Sequence, residues 1–91
     1  MDNVYVARHS NLATYLAYKT GIIPEFRIRD GKFEWIFPNF NIVKVYADEY
    51  YDIYNNNKEC AVDFNLIISA LSIVMEEKSK YFRDKKATGE I

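Results

Sequence analysis

The sequence reads as an α+β fold with its elements in the order β-α-β-β-α-α: a three-stranded, mostly antiparallel sheet with helices packed on one face. Three observations carry that reading. Residues 24–37 have the pattern of one β-hairpin around Asp30-Gly31. Two later stretches carry apolar residues at helical spacing. A β-rich run near the start leads into a third helical stretch that stops at a glycine.

Val4-Tyr5-Val6-Ala7 is a short β-rich run and gives the first strand. Ser10 suits the N-cap of a helix over residues 11–20, and Gly21 is its left-handed terminator. Leu12, Ala13, Leu16, Ala17 and Thr20 form the inner stripe of that helix, with Tyr15 and Tyr18 at its flanks.

The hairpin follows. Asp and Gly both tolerate the positive φ of a two-residue type I′ turn. With Asp30-Gly31 as the loop, Arg29 faces Lys32, Ile28 faces Phe33, Arg27 faces Glu34 and Phe26 faces Trp35. Phe26, Ile28, Phe33 and Trp35 then share the core face, and the Arg27–Glu34 pair lies on the other. Pro24 suits a strand start, and Pro38 should end the pairing because it has no N–H.

Asn39 or Asn41 can cap the next helix, expected over about 42–54. Val43, Tyr46, Ala47, Tyr50 and Tyr54 recur at three- and four-residue spacing, with Lys44, Asp48 and Asp52 outside. The run Asn55-Asn56-Asn57-Lys58 reads as a loop. Asp63 then caps a helix from Phe64 to about Arg83. Ile67, Ile68, Leu71, Val74 and Met75 are expected to pack on the domain, while Leu66, Ala70 and Ile73 point elsewhere. An apolar stripe this wide exceeds what one small sheet covers. A two-fold homodimer in which this helix meets its copy would cover it. All 91 residues are expected to form one domain, with 84–91 as a frayed tail.

Composition narrows the function classes. Net charge is −1 and the pI about 5.8, without the basic excess of a sequence-blind nucleic-acid binder. Protein therefore ranks above nucleic acid as a partner. The lone cysteine, Cys60, rules out an intrachain disulfide framework and fits a reducing interior. No basic segment followed by an apolar one opens the chain, and the longest apolar run, residues 66–75, is too short for a bilayer. A cytoplasmic protein without a membrane anchor is the expectation.

Catalytic constellations are sparse. His9 is the only histidine and stands far in sequence from Cys60. His9 reads as an ordinary residue beside a helix start, and Cys60 as a small, partly buried hydrophobe. There is no CxxC, no HExxH and no glycine-rich phosphate loop. Asp48 and Asp52 lie one turn apart, which fits a solvated face better than a metal site. No catalytic residue, cofactor or metal is therefore assigned. Tyr46, Tyr50 and Tyr54 rise turn by turn along one helix. Together with Leu66, Ala70 and Ile73 they are the candidate partner-binding surface. The alternative, a nucleic-acid interface, rests on Lys78, Lys80, Arg83, Lys85 and Lys86 interleaved with Tyr81 and Phe82. Glu76, Glu77 and Asp84 dilute that patch. A small enzyme is the third reading, with no complete site to support it.

The first half of the chain resembles a family of small domains of unknown function found in bacterial phages and mobile elements. Its members show a strand, a helix with an "LAxYL" core ending near a glycine, a hairpin ending in an "FxF"-type strand, and a short helix. The matching residues are Leu12, Ala13, Tyr15, Leu16, Gly21, Trp35 and Phe37, with Tyr50 or Tyr51 closing the block. The likeness covers roughly residues 5–54 and leaves out the last helix. It implies a phage or prophage accessory protein, a class with many regulators and inhibitors of host systems. The reading that results is a non-enzymatic protein-binding module of a bacterial cytoplasm.

Overall fold

Asp30 (φ 52°) and Gly31 (φ 75°) both occupy the left-handed region, the combination a type I′ turn needs. The turn fixes the register read from the sequence: Arg29 opposite Lys32, Ile28 opposite Phe33, Arg27 opposite Glu34, and Phe26 opposite Trp35. A Cβ placed on Gly31 would meet nothing within 4 Å, so a side chain there costs only backbone strain. Gly31→Val is expected to destabilise the fold by about 1–2 kcal/mol in urea unfolding. An unchanged midpoint would contradict the turn assignment.

This computed structural model describes residues 3–87. Its elements are β1 (Val4–Ala7), α1 (Ser10–Thr20), β2 (Glu25–Arg29), β3 (Lys32–Pro38), α2 (Phe40–Asn55) and α3 (Phe64–Ala87). The sheet is antiparallel throughout, in the order β1-β3-β2, so the hairpin's second strand is central. The helices cover the face that carries Ala7, Phe26, Trp35 and Phe37. With Leu12, Leu16, Val43, Ala47 and Val74 these residues form one buried cluster. Burying a side chain of Leu or Phe size stabilises by about 1.5–3 kcal/mol, so this cluster dominates the fold's stability.

Trp35 ties the sheet to α3. Its ring lies 5.1 Å from that of Phe26, edge to face. Its Nε1–H donates to the Val74 carbonyl at 3.1 Å. On the opposite sheet face Glu34 accepts from Arg27 Nε at 2.7 Å and from Arg8 Nε at 3.2 Å. Arg8 follows β1 directly, and β3 runs between β1 and β2. One carboxylate thus spans all three strands.

Helix ends follow local chemistry, with two departures. The N-cap of α1 is His9, not Ser10, and His9 makes no side-chain cap bond. After β1 ends at Ala7, only Arg8 and His9 turn the chain, so Ser10 is already helical. Gly21 closes α1 as read, at φ 71°, its N–H donating to the Ala17 carbonyl at 2.9 Å. Asn39 sits at the N-cap of α2 in left-handed backbone, and its carbonyl accepts from Ile42 and Val43. At the far end Asn57 takes φ 52°, and Lys58 N–H reaches back to the Ile53 carbonyl at 3.0 Å. That is the Schellman closure, with asparagine in glycine's usual place. Asp63 caps α3 through Oδ1, which accepts from Leu66 N–H at 3.0 Å.

The second departure is the length of α3. It continues to Ala87, so residues 84–87 are helical and not a frayed tail; 88–91 lie outside the described residues. Lys85 and Lys86 stand in its last turn, where cations oppose the helix dipole.

Candidate functional site

Helix α1 is the central helix. It packs against both α2 and α3, which diverge around it. Leu12, Ala13, Leu16 and Ala17 bury its core side. Tyr15 and Tyr18 reach outward to the two neighbours. The Tyr15 hydroxyl donates to Glu49 of α2, and Lys19 Nζ lies 3.6 Å from the same carboxylate. Burial first, and then the bond to Glu49, push the Tyr15 phenol above its ordinary pKa. The Tyr18 hydroxyl accepts from Asp63 N–H at 2.9 Å and pins the start of α3.

The divergence of α2 and α3 leaves an apolar groove of about 310 Å³ over α1. Tyr15, Tyr50, Val62, Ile67, Ile68 and Leu71 line it, with Cys60 among its walls. Cys60 is an exposed free thiol, not the partly buried hydrophobe expected. It sits on the connection between α2 and α3, which no element covers. His9 is exposed beside a separate hollow lined by Tyr50, Tyr51 and Tyr54.

The proposed partner-binding residues divide. Ala70 is only 5% exposed and belongs to the core, which corrects its outward assignment. The line of α3 that turns inward runs along Ala70 and Val74, in one buried cluster with Ala13 and Ala17 of α1. That rotation leaves Leu66 (60% exposed) and Ile73 (36%) on one open flank, as read. It also turns Ile68 and Leu71, which were expected to pack inward, partly to solvent on the other flank. Phe64, 73% exposed, joins them. Of the three α2 tyrosines proposed for contact, Tyr46 and Tyr50 are half-buried against the core and Tyr54 is exposed. Tyr54 stacks on Tyr50 with centroids 6.1 Å apart and planes 13° apart.

The basic residues of α3 do not share a face. Lys78 lies over the Phe33 ring and Lys85 over Tyr81. Arg83 pairs with Glu76 at 2.8 Å, while Lys80 and Lys86 are exposed. By strand alternation Arg27, Arg29 and Lys32 lie on the open side of the sheet, across it from α3. The single basic surface that the nucleic-acid reading needs is not assembled.

Among the described residues, no three His, Cys, Asp or Glu side chains are grouped to hold a metal ion. No helix among them is long and apolar enough to cross a membrane. Comparison with protein-family models, curated proteins and solved structures found no match to this chain.

Proposed function

We propose that the chain is a non-enzymatic docking module whose first occupant is a second copy of itself. The observation that carries this is the N-terminal half of α3. No charged residue stands between Phe64 and Met75. Phe64, Leu66, Ile68, Leu71 and Ile73 are all substantially exposed there, and Ile23 adds to the same side as Ile73. Interface cores are depleted of charge in just this way. A charge-free strip neither repels its own copy nor selects a partner of opposite charge. A two-fold axis needs one self-complementary patch, and α3 supplies both a ridge and a wall of the groove. The resemblance to phage and mobile-element domains supports an accessory role of this kind.

Sedimentation equilibrium at micromolar concentration tests the reading. The wild type is expected to sediment as a dimer. Ile68→Glu, on the flank that borders the groove, is expected to give a monomer with an unchanged circular dichroism spectrum. A wild type that stays monomeric throughout that range overturns self-docking.

A further inference from the structure

Strand β2 forms one edge of the sheet, since the order β1-β3-β2 pairs it on one side only. The hairpin turn decides which of its backbone groups are left over. A type I′ turn bonds the residues on either side of its loop, here Arg29 and Lys32, and bonded pairs then alternate along an antiparallel ladder. Arg29, Arg27 and Glu25 therefore direct their N–H and C=O groups at β3. Phe26 and Ile28 direct theirs outward. Among the described residues, neither makes a backbone bond outside the ladder.

The side chains along this edge carry an ordered pattern of charge. By alternation Glu25, Arg27 and Arg29 share the open face of the sheet, and Phe26 and Ile28 share the face that the helices cover. Arg27 gives its Nε to Glu34 at 2.7 Å, and its terminal amino groups are left for another acceptor. Arg29 is exposed and stands opposite Lys32, a like charge, which is unfavourable. The neighbouring carboxylates do not relieve it. Among the described residues, neither Asp30 in the turn nor Glu25 at the far end of the strand forms an ion pair.

This pattern opposes pairing with a copy of β2. The antiparallel register that uses both Phe26 and Ile28 sets one Arg27 against the other across the junction. Charge on an edge strand blocks self-association in this way, yet the same charge selects a strand of opposite sign. Nucleic acid fits less well. Phe26, Phe33, Trp35 and Phe37 all alternate to the helix side, so the open face of β2 and β3 has no ring on which a base could stack.

We propose that β2 accepts an antiparallel strand from a partner protein, with acidic residues opposite Arg29 and Arg27, a basic residue opposite Glu25, and apolar residues between them. Backbone bonds to Phe26 and Ile28 supply the attachment, and the three charges fix the register. The edge is separate from the apolar strip of α3, and the proposal does not rest on self-docking.

Amide chemical-shift titration of the full chain with the synthetic peptide Thr-Glu-Val-Glu-Val-Lys-Thr tests this. The peptide is expected to shift the amides of Phe26 and Ile28 saturably and to slow their hydrogen exchange, because both become bonded. The charge-reversed peptide Thr-Lys-Val-Lys-Val-Glu-Thr and an oligothymidylate should do neither. Arg29→Glu should weaken the first peptide about tenfold or more, as expected for the loss of a charged contact. Replacing the first Glu of the peptide by Lys should restore its binding to that variant. Ile68→Glu should bind the peptide as the wild type does, whether or not it changes the oligomeric state. Four outcomes would overturn the site. These are no saturable shift, shifts without slowed exchange at Phe26 and Ile28, a control probe acting as well as the first peptide, or no rescue of Arg29→Glu by the exchanged charge.

Discussion

Trp35→Ala is expected to cost about 3–5 kcal/mol, the range for emptying a large buried aromatic site. Small domains hold only about 5–15 kcal/mol in total, so the variant should be marginal or unfolded at room temperature. The ring is 2% exposed and packs on Phe26, which in turn meets Tyr81 of α3. Its removal leaves a cavity where sheet and helix meet. Trp35→Phe separates the two contributions. It keeps most of the apolar area but removes the N–H that reaches the Val74 carbonyl. About 1–2 kcal/mol should be lost, near the net worth of one buried hydrogen bond plus a small packing deficit. Urea unfolding followed by circular dichroism reads both without relying on the tryptophan. A loss within about 0.5 kcal/mol for Trp35→Ala, typical of surface sites, would refute this placement.

The hairpin was legible in the sequence because everything that sets it is local. Asp30 and Gly31 tolerate positive φ, the two-residue turn fixes the register, and alternation assigns Phe26 and Trp35 to one face. Helix ends were legible where one residue decides the geometry, as at Gly21 and Asp63. They were less so at Ser10, where the N-cap passed to His9. That shift depends on where β1 stops pairing, which its own residues do not state.

Non-local placement was not legible. The apolar width of α3 could be read, but not which line of it turns inward. Ala70 and Val74 turn into the buried cluster, and Ile68 and Leu71 stay at the rim. Two of the three residues in the anticipated α3 strip, Leu66 and Ile73, are therefore open, and Phe64 and Ile68 were missed. The spread of apolar residues around the helix was the signal, and it carries no phase. Arg27 opposite Glu34 could be read from the turn, but Arg8 as the second partner could not.

That second partner makes Glu34 the site of the next large effect. Glu34→Gln is expected to destabilise the fold by about 2–3 kcal/mol at pH 7, the range for charge-assisted bonds to a buried group. The carboxylate is 2% exposed, while the Arg8 and Arg27 side chains are 60% and 41% exposed. Both guanidiniums therefore stay solvated when the carboxylate is removed, which keeps the loss below that of a fully buried pair. The hydrogen bond from Arg27 is the main cause that lowers the Glu34 pKa. Burial opposes it, and Arg8 adds to the lowering. A carboxyl whose folded pKa lies below its unfolded value contributes stability that is fully present above the unfolded value, about 4.3. The contribution is lost as pH falls through the folded pKa, because the native state must then take up the proton. The gap between wild type and Glu34→Gln should therefore be widest at pH 7 and should close on acidification below that range. Urea unfolding of both proteins at pH 7 and at pH 3 reads it. A gap that persists undiminished at pH 3 would mean that the ionised carboxylate is not what holds the three strands together.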